Sequence, residues 1–250
     1  MATTTTAVPD QPPQQISSFG RLFGVLFNPT ATFRDIAKWP TWLVPLALLT
    51  VLSIGVGALI SQKMDWPGYM RQQDTKMSRW DQMNDQQKEQ MVDAQVKWTP
   101  PITWIVAVAG PIIFALLLSL IYWGAFNVFS SAQLRFAVPF SIVSYSFVPG
   151  LLGSALALIV LSLKRYGDVD PQHLMATSVA SLLPPGAAPW LVSLGTSLDL
   201  FWIWTMILLV IGFSAANPKK ISKGTAFSVI FGLWFVYLAV KVGWSAISGI

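Results

Sequence analysis

Five long apolar stretches divide this sequence, and each is long enough for a membrane-crossing helix. They cover residues 41–61, 101–129, 136–163, 197–217 and 225–247. A helix needs about 20 apolar residues to cross a hydrocarbon core that is ~30 Å thick. The pattern therefore predicts an all-α, polytopic membrane protein, whose membrane domain over 41–250 is a bundle of five transmembrane helices with interfacial helices.

Two segments between the spans have a different pattern. Residues 62–98 are polar, and we expect them to form a loop that carries a surface helix over 84–97. Asn84 and Gln87 have the spacing of a capping box at the start of that helix. Residues 171–183 are mildly apolar but too short to cross a membrane. They predict an interfacial or a re-entrant helix.

The beginning of the chain has two parts. Residues 1–15 are rich in Thr, Pro and Gln, which is typical of a disordered tail. Residues 16–40 mix Phe, Leu and Trp with basic residues, and Asn28 with Pro29 is a helix start signal. We expect this second part to lie at the membrane interface. A helix packed on the protein's own surface is the alternative.

Composition supports the membrane assignment and excludes several classes of site. The 250 residues are 54% hydrophobic and only 11% charged, against roughly 25% charged in soluble domains. The chain has no cysteine, which excludes disulfides and thiolate metal sites. The net charge of +5 is not concentrated on a soluble domain, so we expect no nucleic-acid partner.

The distribution of basic residues predicts an orientation. With the N-terminus in the cytoplasm, the inner segments carry seven basic residues against two acidic ones. Lys219, Lys220 and Lys223 lie in one short loop, and short loops with Lys and Arg stay on the cytoplasmic side. We therefore expect a cytoplasmic N-terminus and an external C-terminus in a bacterial cytoplasmic (inner) membrane.

The third predicted span contains prolines and a short polar group. Pro149 should kink the helix and free a backbone carbonyl. Ser144, Tyr145 and Ser146 lie just before it, and we expect their hydroxyls to bond to the freed backbone or to a neighbouring helix. A polar pocket for a lipid headgroup or a solute is the alternative.

Asp199 is the only carboxylate within the apolar stretches, and Lys241 is the only basic residue inside a span. Intramembrane acids often mark ion or proton pathways. Thr196, however, is a candidate N-cap that would put Asp199 at the third position of a capping box. Lys241 would extend its amine toward the outer interface, or it would pair with Asp199 and join the last two helices.

The sequence contains no recognisable catalytic or cofactor-binding motif. His173 is the single histidine, and with no cysteine a transition-metal site is not expected. We therefore expect no catalytic residue, no metal and no cofactor.

Three stretches resemble the Yip family of Ypt/Rab-interacting membrane proteins, in its bacterial-type branch. They are Leu26-Phe27-Asn28-Pro29-Thr30 followed by Phe33-Arg34-Asp35-Ile36, Ser144-Tyr145-Ser146-Phe147-Val148-Pro149, and Leu198-Asp199-Leu200-Phe201 followed by Ile203-Trp204 and Ile211-Gly212. The resemblance covers roughly residues 18–248. It implies five spans and a non-enzymatic membrane protein, and eukaryotic members of the family are linked to vesicle trafficking and Rab binding.

Two functions remain open on this reading. The first is a membrane-organising or protein-recruiting scaffold, with membrane lipids and a protein partner or a second copy of the chain as its contacts. The second is a small transporter or permease that uses Asp199, Lys241 and the kinked third span.

Overall fold

The structure is a computed structural model that describes residues 15–75, 80–169, 176–184 and 186–248. Helices dominate these ranges, which contain no β-strand. In chain order they are α1 Ser18–Phe27, α2 Pro29–Lys38, α3 Leu43–Lys63, α4 Trp66–Asp74, α5 Asp85–Ser130, α6 Ala137–Ser146, α7 Val148–Leu163, α8 Pro189–Ser197, α9 Leu200–Ala216 and α10 Lys223–Ser248. The all-α fold class is confirmed.

Within the described ranges, four helical segments are long and apolar enough to cross a membrane: α3, α5, the α6–α7 pair and α10. Helix α9 is also apolar, but its 17 residues make it about 26 Å long. The protein is therefore a polytopic membrane protein. The five predicted span boundaries stay predictions.

Two capping interactions show which helices end at the same level. The side-chain amide of Asn217, after α9, donates to the carbonyl of Ala132, after α5, at 3.1 Å. At the opposite end, the amine of Lys63 donates to carbonyls at the end of α7, including Leu161 at 2.7 Å. We call the first level, next to Lys219, the lysine end of the bundle. Helices α5 and α9 run toward it, and α3, α6–α7 and α10 run away from it.

The predicted surface helix and the second predicted span are one continuous helix. Asn84 and Gln87 form the predicted capping box, with reciprocal bonds of 2.8 and 3.0 Å. Helix α5 then continues through Pro100 and Pro101 to Ser130, 46 residues in all. At 1.5 Å per residue it is about 69 Å long, so it extends well beyond a hydrocarbon core. The sequence separated the two parts because polarity changes near Pro100, although the backbone does not break there.

The third predicted span is broken where the sequence placed its kink. Helix α6 ends at Ser146 and α7 begins at Val148, with Phe147 between them at φ −79° and ψ 2°. Pro149 occupies the first turn of α7, where a missing N–H is tolerated. The kink is therefore a junction between two helices.

The segment before α9 differs from its prediction. The predicted helix over 171–183 is replaced, in its described part, by a short 3-10 helix, Val179–Leu182. Residues 170–175, including His173, lie outside the described residues. The longer helix is α8, which begins with Pro189 and packs against α10. Gly195 of α8 lies so close to the backbone of Ala180 that an added Cβ would be 2.8 Å from its nitrogen.

Candidate functional site

Arg21 lies at the centre of a polar network that the sequence analysis did not identify. Its side chain is fully buried in α1, and its guanidinium faces the carboxylate of Asp35 in α2. Nε donates to Asp35 Oδ2 at 2.7 Å. Nη1 donates to the Trp39 carbonyl at 2.9 Å and to the Thr41 hydroxyl at 2.6 Å. A buried guanidinium needs such a set of acceptors, because an unpaired charge is very costly in an apolar environment.

Tyr145 extends this network to the kinked third span. Its hydroxyl lies 3.3 Å from the hydroxyl of Thr41 and donates to the carbonyl of Ser18 at 3.4 Å. These two contacts link α6 to the start of α3 and to α1. The expectation that Tyr145 bonds to a neighbouring element therefore agrees with the geometry.

The two serines beside Tyr145 have different surroundings. Ser144 is buried and donates to the carbonyl of Phe140, one turn earlier, at 2.6 Å. The hydroxyl of Ser146 is buried without a hydrogen-bond partner among the described residues. Pro149 is also buried. All four side chains are buried in the bundle, and none of them lines the cavity beside Asp199 that is described below.

Gly212, in the third family-like stretch, meets Phe33 of the first stretch and Ile142, which lies two residues before the second stretch. A Cβ on Gly212 would lie 2.6 Å from Ile142 Cγ2 and 3.1 Å from Phe33 Cδ1. Glycine therefore allows α9 to approach both α2 and α6 closely. The three stretches are far apart in the sequence, and the fold brings them together around the α2–α6–α9 contact.

A repeat of phenylalanine in the sequence could have predicted that Arg21 is buried. Phe19, Phe23 and Phe27 recur every four residues and are exposed by 62%, 66% and 82%. They form one face of α1, while Arg21 and its neighbour Leu22 point into the protein. In an interfacial helix, basic residues usually lie on the polar face. The four-residue repeat of phenylalanine places Arg21 on the other side of the helix.

Asp199 is the N-cap of α9, which corrects the predicted cap. The backbone N–H of Trp202 donates to Asp199 Oδ1 at 3.0 Å, and the hydroxyl of Thr177 donates to Oδ2 at 2.6 Å. Thr196, the predicted cap, lies within α8. The chain turns between α8 and α9, so α9 begins later than the apolar pattern suggested. A carboxylate at this position also favours the helix dipole.

Lys241 bonds to hydroxyls at the end of α8. Its amine donates to Thr196 Oγ1 at 3.1 Å and to Ser197 Oγ at 2.9 Å. The ion pair that the structure shows in the described ranges joins Arg21 to Asp35 and does not involve Lys241. The hypothesised Asp199–Lys241 pair is therefore not formed. Lys241 instead joins α10 to the end of α8 through hydroxyl groups.

A cavity of about 390 Å³ lies beside Asp199. Its walls come from α3, α5, α7 and the start of α9, and they are mostly apolar. The lining residues are Leu49, Ser53, Val56, Pro111, Gly150, Gly153, Ser154, Ala157, Thr177, Asp199 and Phe201. Thr177 and Asp199 supply the polar end of this cavity.

Three lysines mark the other end of the bundle. Lys219 and Lys220 lie in the exposed turn after α9, and Lys223 begins α10. Arg34 and Lys38 are exposed on α2, which packs near this end. These exposed basic side chains therefore lie at the same end of the bundle as α1, which packs against α2.

Comparison with known proteins identifies the family. Residues 23–245 match the family described as Yip1 domain. A curated relative, "Membrane protein YknW" of Bacillus subtilis (strain 168), is 27% identical over 222 residues, which is 86% of this chain and 87% of the relative. No solved structure matches the chain. Because the family match covers most of the sequence and includes all three resembling stretches, the chain belongs to the Yip1 family.

Proposed function

We propose that the protein is a non-enzymatic scaffold that organises the membrane or recruits a protein to it. The observation that carries this proposal is the α1–α2 unit. The Arg21–Asp35 pair joins its two helices, and the Tyr145 hydroxyl links it to α6 of the bundle. The unit presents three exposed phenylalanines on α1 and two exposed basic side chains on α2. A rigidly held surface of this composition suits contact with lipids or with a partner at the membrane.

The proposal includes the topology and the location. Residues 41–250 form the five-span membrane domain, with α9 as the short fourth span, and residues 16–40 form a cytoplasmic interfacial segment. The protein lies in the bacterial cytoplasmic membrane with its N-terminus inside and its C-terminus outside. The exposed lysines at 219, 220 and 223 support this orientation through the positive-inside rule.

A small transporter is the second candidate, and the cavity beside Asp199 is the observation that favours it. An intramembrane carboxylate next to a cavity is a common feature of ion and proton pathways. Against it, the aromatic rings of Phe114, Phe147 and Trp202 pack together on the lysine side of the cavity. The kinked span contributes buried side chains to the protein interior, and Lys241 bonds to α8.

A flux assay separates the two candidates. Wild type and Asp199→Asn are reconstituted in liposomes, and ion and proton flux are measured for both. Asparagine preserves the capping acceptor, so the variant should fold. The scaffold proposal expects no flux above that of empty liposomes for either protein. Flux that is present in wild type and lost in Asp199→Asn would establish the transporter instead.

Purification from native membranes tests recruitment. A partner bound at α1 should be lost from Phe23→Ser and retained by Phe235→Ser, a matched substitution on the exposed face of α10. Equal recovery of the same partner by both variants would show that α1 is not the recruiting surface.

A further inference from the structure

The cavity beside Asp199 is a cleft between helices. Ser53 of α3, Pro111 of α5, and Gly153 and Ser154 of α7 contribute to its walls. Several of these side chains are half-buried, so the cleft is open on one side instead of enclosed. Glycine, serine and proline leave room there that larger side chains would fill. The cleft lies within helices that are apolar enough to cross a membrane, and hydrocarbon chains are therefore its neighbours.

An aromatic cluster lies on the side of the cleft that faces the lysine end. Phe114 stacks on Phe147 with ring centres 5.7 Å apart and meets Trp202 at 5.9 Å. Phe114 and Phe147 each lie three residues toward the lysine end from the lining residues Pro111 and Gly150. The Asp199 end of the cleft therefore lies on the side of this cluster that is away from the lysine end.

Asp199 gives this apolar cleft one strongly polar group. Each of its oxygens accepts one hydrogen bond, from Trp202 N–H and from the Thr177 hydroxyl. An ionised carboxylate offers about four acceptor sites, so a further donor can bind. Lys241, a basic residue of α10, donates to the hydroxyls of Thr196 and Ser197. It does not line the cleft.

These features fit an amphiphile that has an apolar chain and a cationic hydrogen-bond donor. We propose that the cleft binds one phospholipid with a primary-amine headgroup, phosphatidylethanolamine, from the leaflet away from the lysine end. Its ammonium group donates to the Asp199 carboxylate, and part of one acyl chain lies against Ser53, Gly153 and Ser154. A volume of 390 Å³ is in the range of small-ligand pockets, ~300–1,000 Å³, and holds only a part of the lipid. The remainder stays in the bilayer.

The headgroup is chosen by hydrogen-bond chemistry. An ammonium group has three donors, whereas the quaternary amine of phosphatidylcholine has none and an anionic headgroup is repelled by the carboxylate. The inference is independent of the proposed scaffold function, because a lipid site of this kind would serve either a scaffold or a transporter.

Native mass spectrometry of the delipidated protein tests the site. The full chain is titrated in detergent with phosphatidylethanolamine, phosphatidylcholine or phosphatidylglycerol of identical acyl chains. Wild type should bind the first about tenfold more tightly than the second, the difference that one hydrogen bond to a charged group provides. Asp199→Asn should lose this preference, whereas Asp93→Asn, on the exposed part of α5, should keep it.

A second pair of variants tests where the acyl chain of the lipid lies. Ser154→Leu fills the cleft and should reduce binding of phosphatidylethanolamine and phosphatidylcholine alike, whereas Ser162→Leu, exposed on the same helix, should bind as wild type does. Thermal unfolding in the same detergent shows that each variant is folded. Equal affinity of wild type for the three lipids, an unchanged preference in Asp199→Asn, or full binding by folded Ser154→Leu would each overturn the proposal.

Discussion

At the residue scale, Arg21 has the most demanding environment in the described structure. Its guanidinium is held by the Asp35 carboxylate, a backbone carbonyl and the Thr41 hydroxyl, and water does not reach it. Removing Arg21 is more costly than removing an exposed charge, because it removes a buried, hydrogen-bonded guanidinium and leaves the half-buried Asp35 carboxylate without its counter-ion. Asp35 lies in the first family-like stretch and Tyr145 in the second. Arg21 connects them through Thr41.

Arg21→Ala should therefore destabilise the protein strongly. The expected loss in the free energy of unfolding is about 3 kcal/mol, the lower end for a buried pair, since the Asp35 carboxylate that loses its counter-ion is only partly buried. Arg34→Ala, which removes an exposed arginine from α2, should change stability by less than about 0.5 kcal/mol. Denaturant unfolding in detergent micelles measures both variants. Similar unfolding midpoints for the two would contradict the role assigned to the buried pair.

At the element scale, α9 contacts helices from several parts of the chain. It packs against α2, α6, α7 and α10, and its two ends are fixed by Asp199 and Asn217. Gly212 sets its distance from α2 and α6, because a side chain there would meet Ile142 and Phe33. Small residues at helix contacts are the usual means of close packing in membranes.

Gly212→Ala should destabilise the bundle by about 1–3 kcal/mol, the typical cost of overpacking a well-filled contact. Gly232→Ala is the matched control, because no atom lies within 4 Å of the added methyl on α10. That substitution should be neutral or slightly stabilising, since alanine is a better helix former than glycine. Thermal unfolding followed by circular dichroism gives both values. A neutral Gly212→Ala would show that α9 can move away from α2 and α6 without cost.

At the scale of the whole molecule, polarity is distributed between two ends. The lysine end carries the exposed loop lysines and the α1–α2 unit, with its phenylalanine face and its basic face. The other end carries the polar part of α5 and the short helix α4. Helix α5 reaches both ends because its 46 residues exceed what a span requires.

The proposed orientation can be measured by cysteine labelling, since the natural chain has no cysteine. Gln90→Cys and Pro218→Cys place single thiols at exposed positions on the two ends. A membrane-impermeant maleimide should label Gln90→Cys in intact cells and Pro218→Cys only after permeabilisation. Replacing the three loop lysines by glutamine should give a mixture of orientations. The reverse labelling pattern in the unmodified background would contradict the proposed topology.

The helices of the membrane domain could be predicted well from the sequence, but the polar network of Arg21 and the contacts of Asp199 and Lys241 could not. Long apolar runs identify α3, α10 and most of α5, and proline at position 149 locates the junction of α6 and α7. The predicted role of Thr196 was wrong, because the apolar pattern does not show where α8 turns into α9. The Asp199–Lys241 hypothesis assumed that two charges at one end of the bundle meet. The amine of Lys241 instead donates to two hydroxyl groups of α8.

The sequence by itself determines that this protein is helical and membrane-embedded. Burying apolar runs in lipid depends on length and composition, and a helix satisfies its own backbone without any partner. The tertiary structure alone decides that Arg21 is buried, that Tyr145 reaches Thr41, and that a cleft opens beside Asp199. These features depend on contacts between residues that are distant in the chain. Side-chain periodicity reports which face of a helix is apolar, but it does not specify which helix packs against that face.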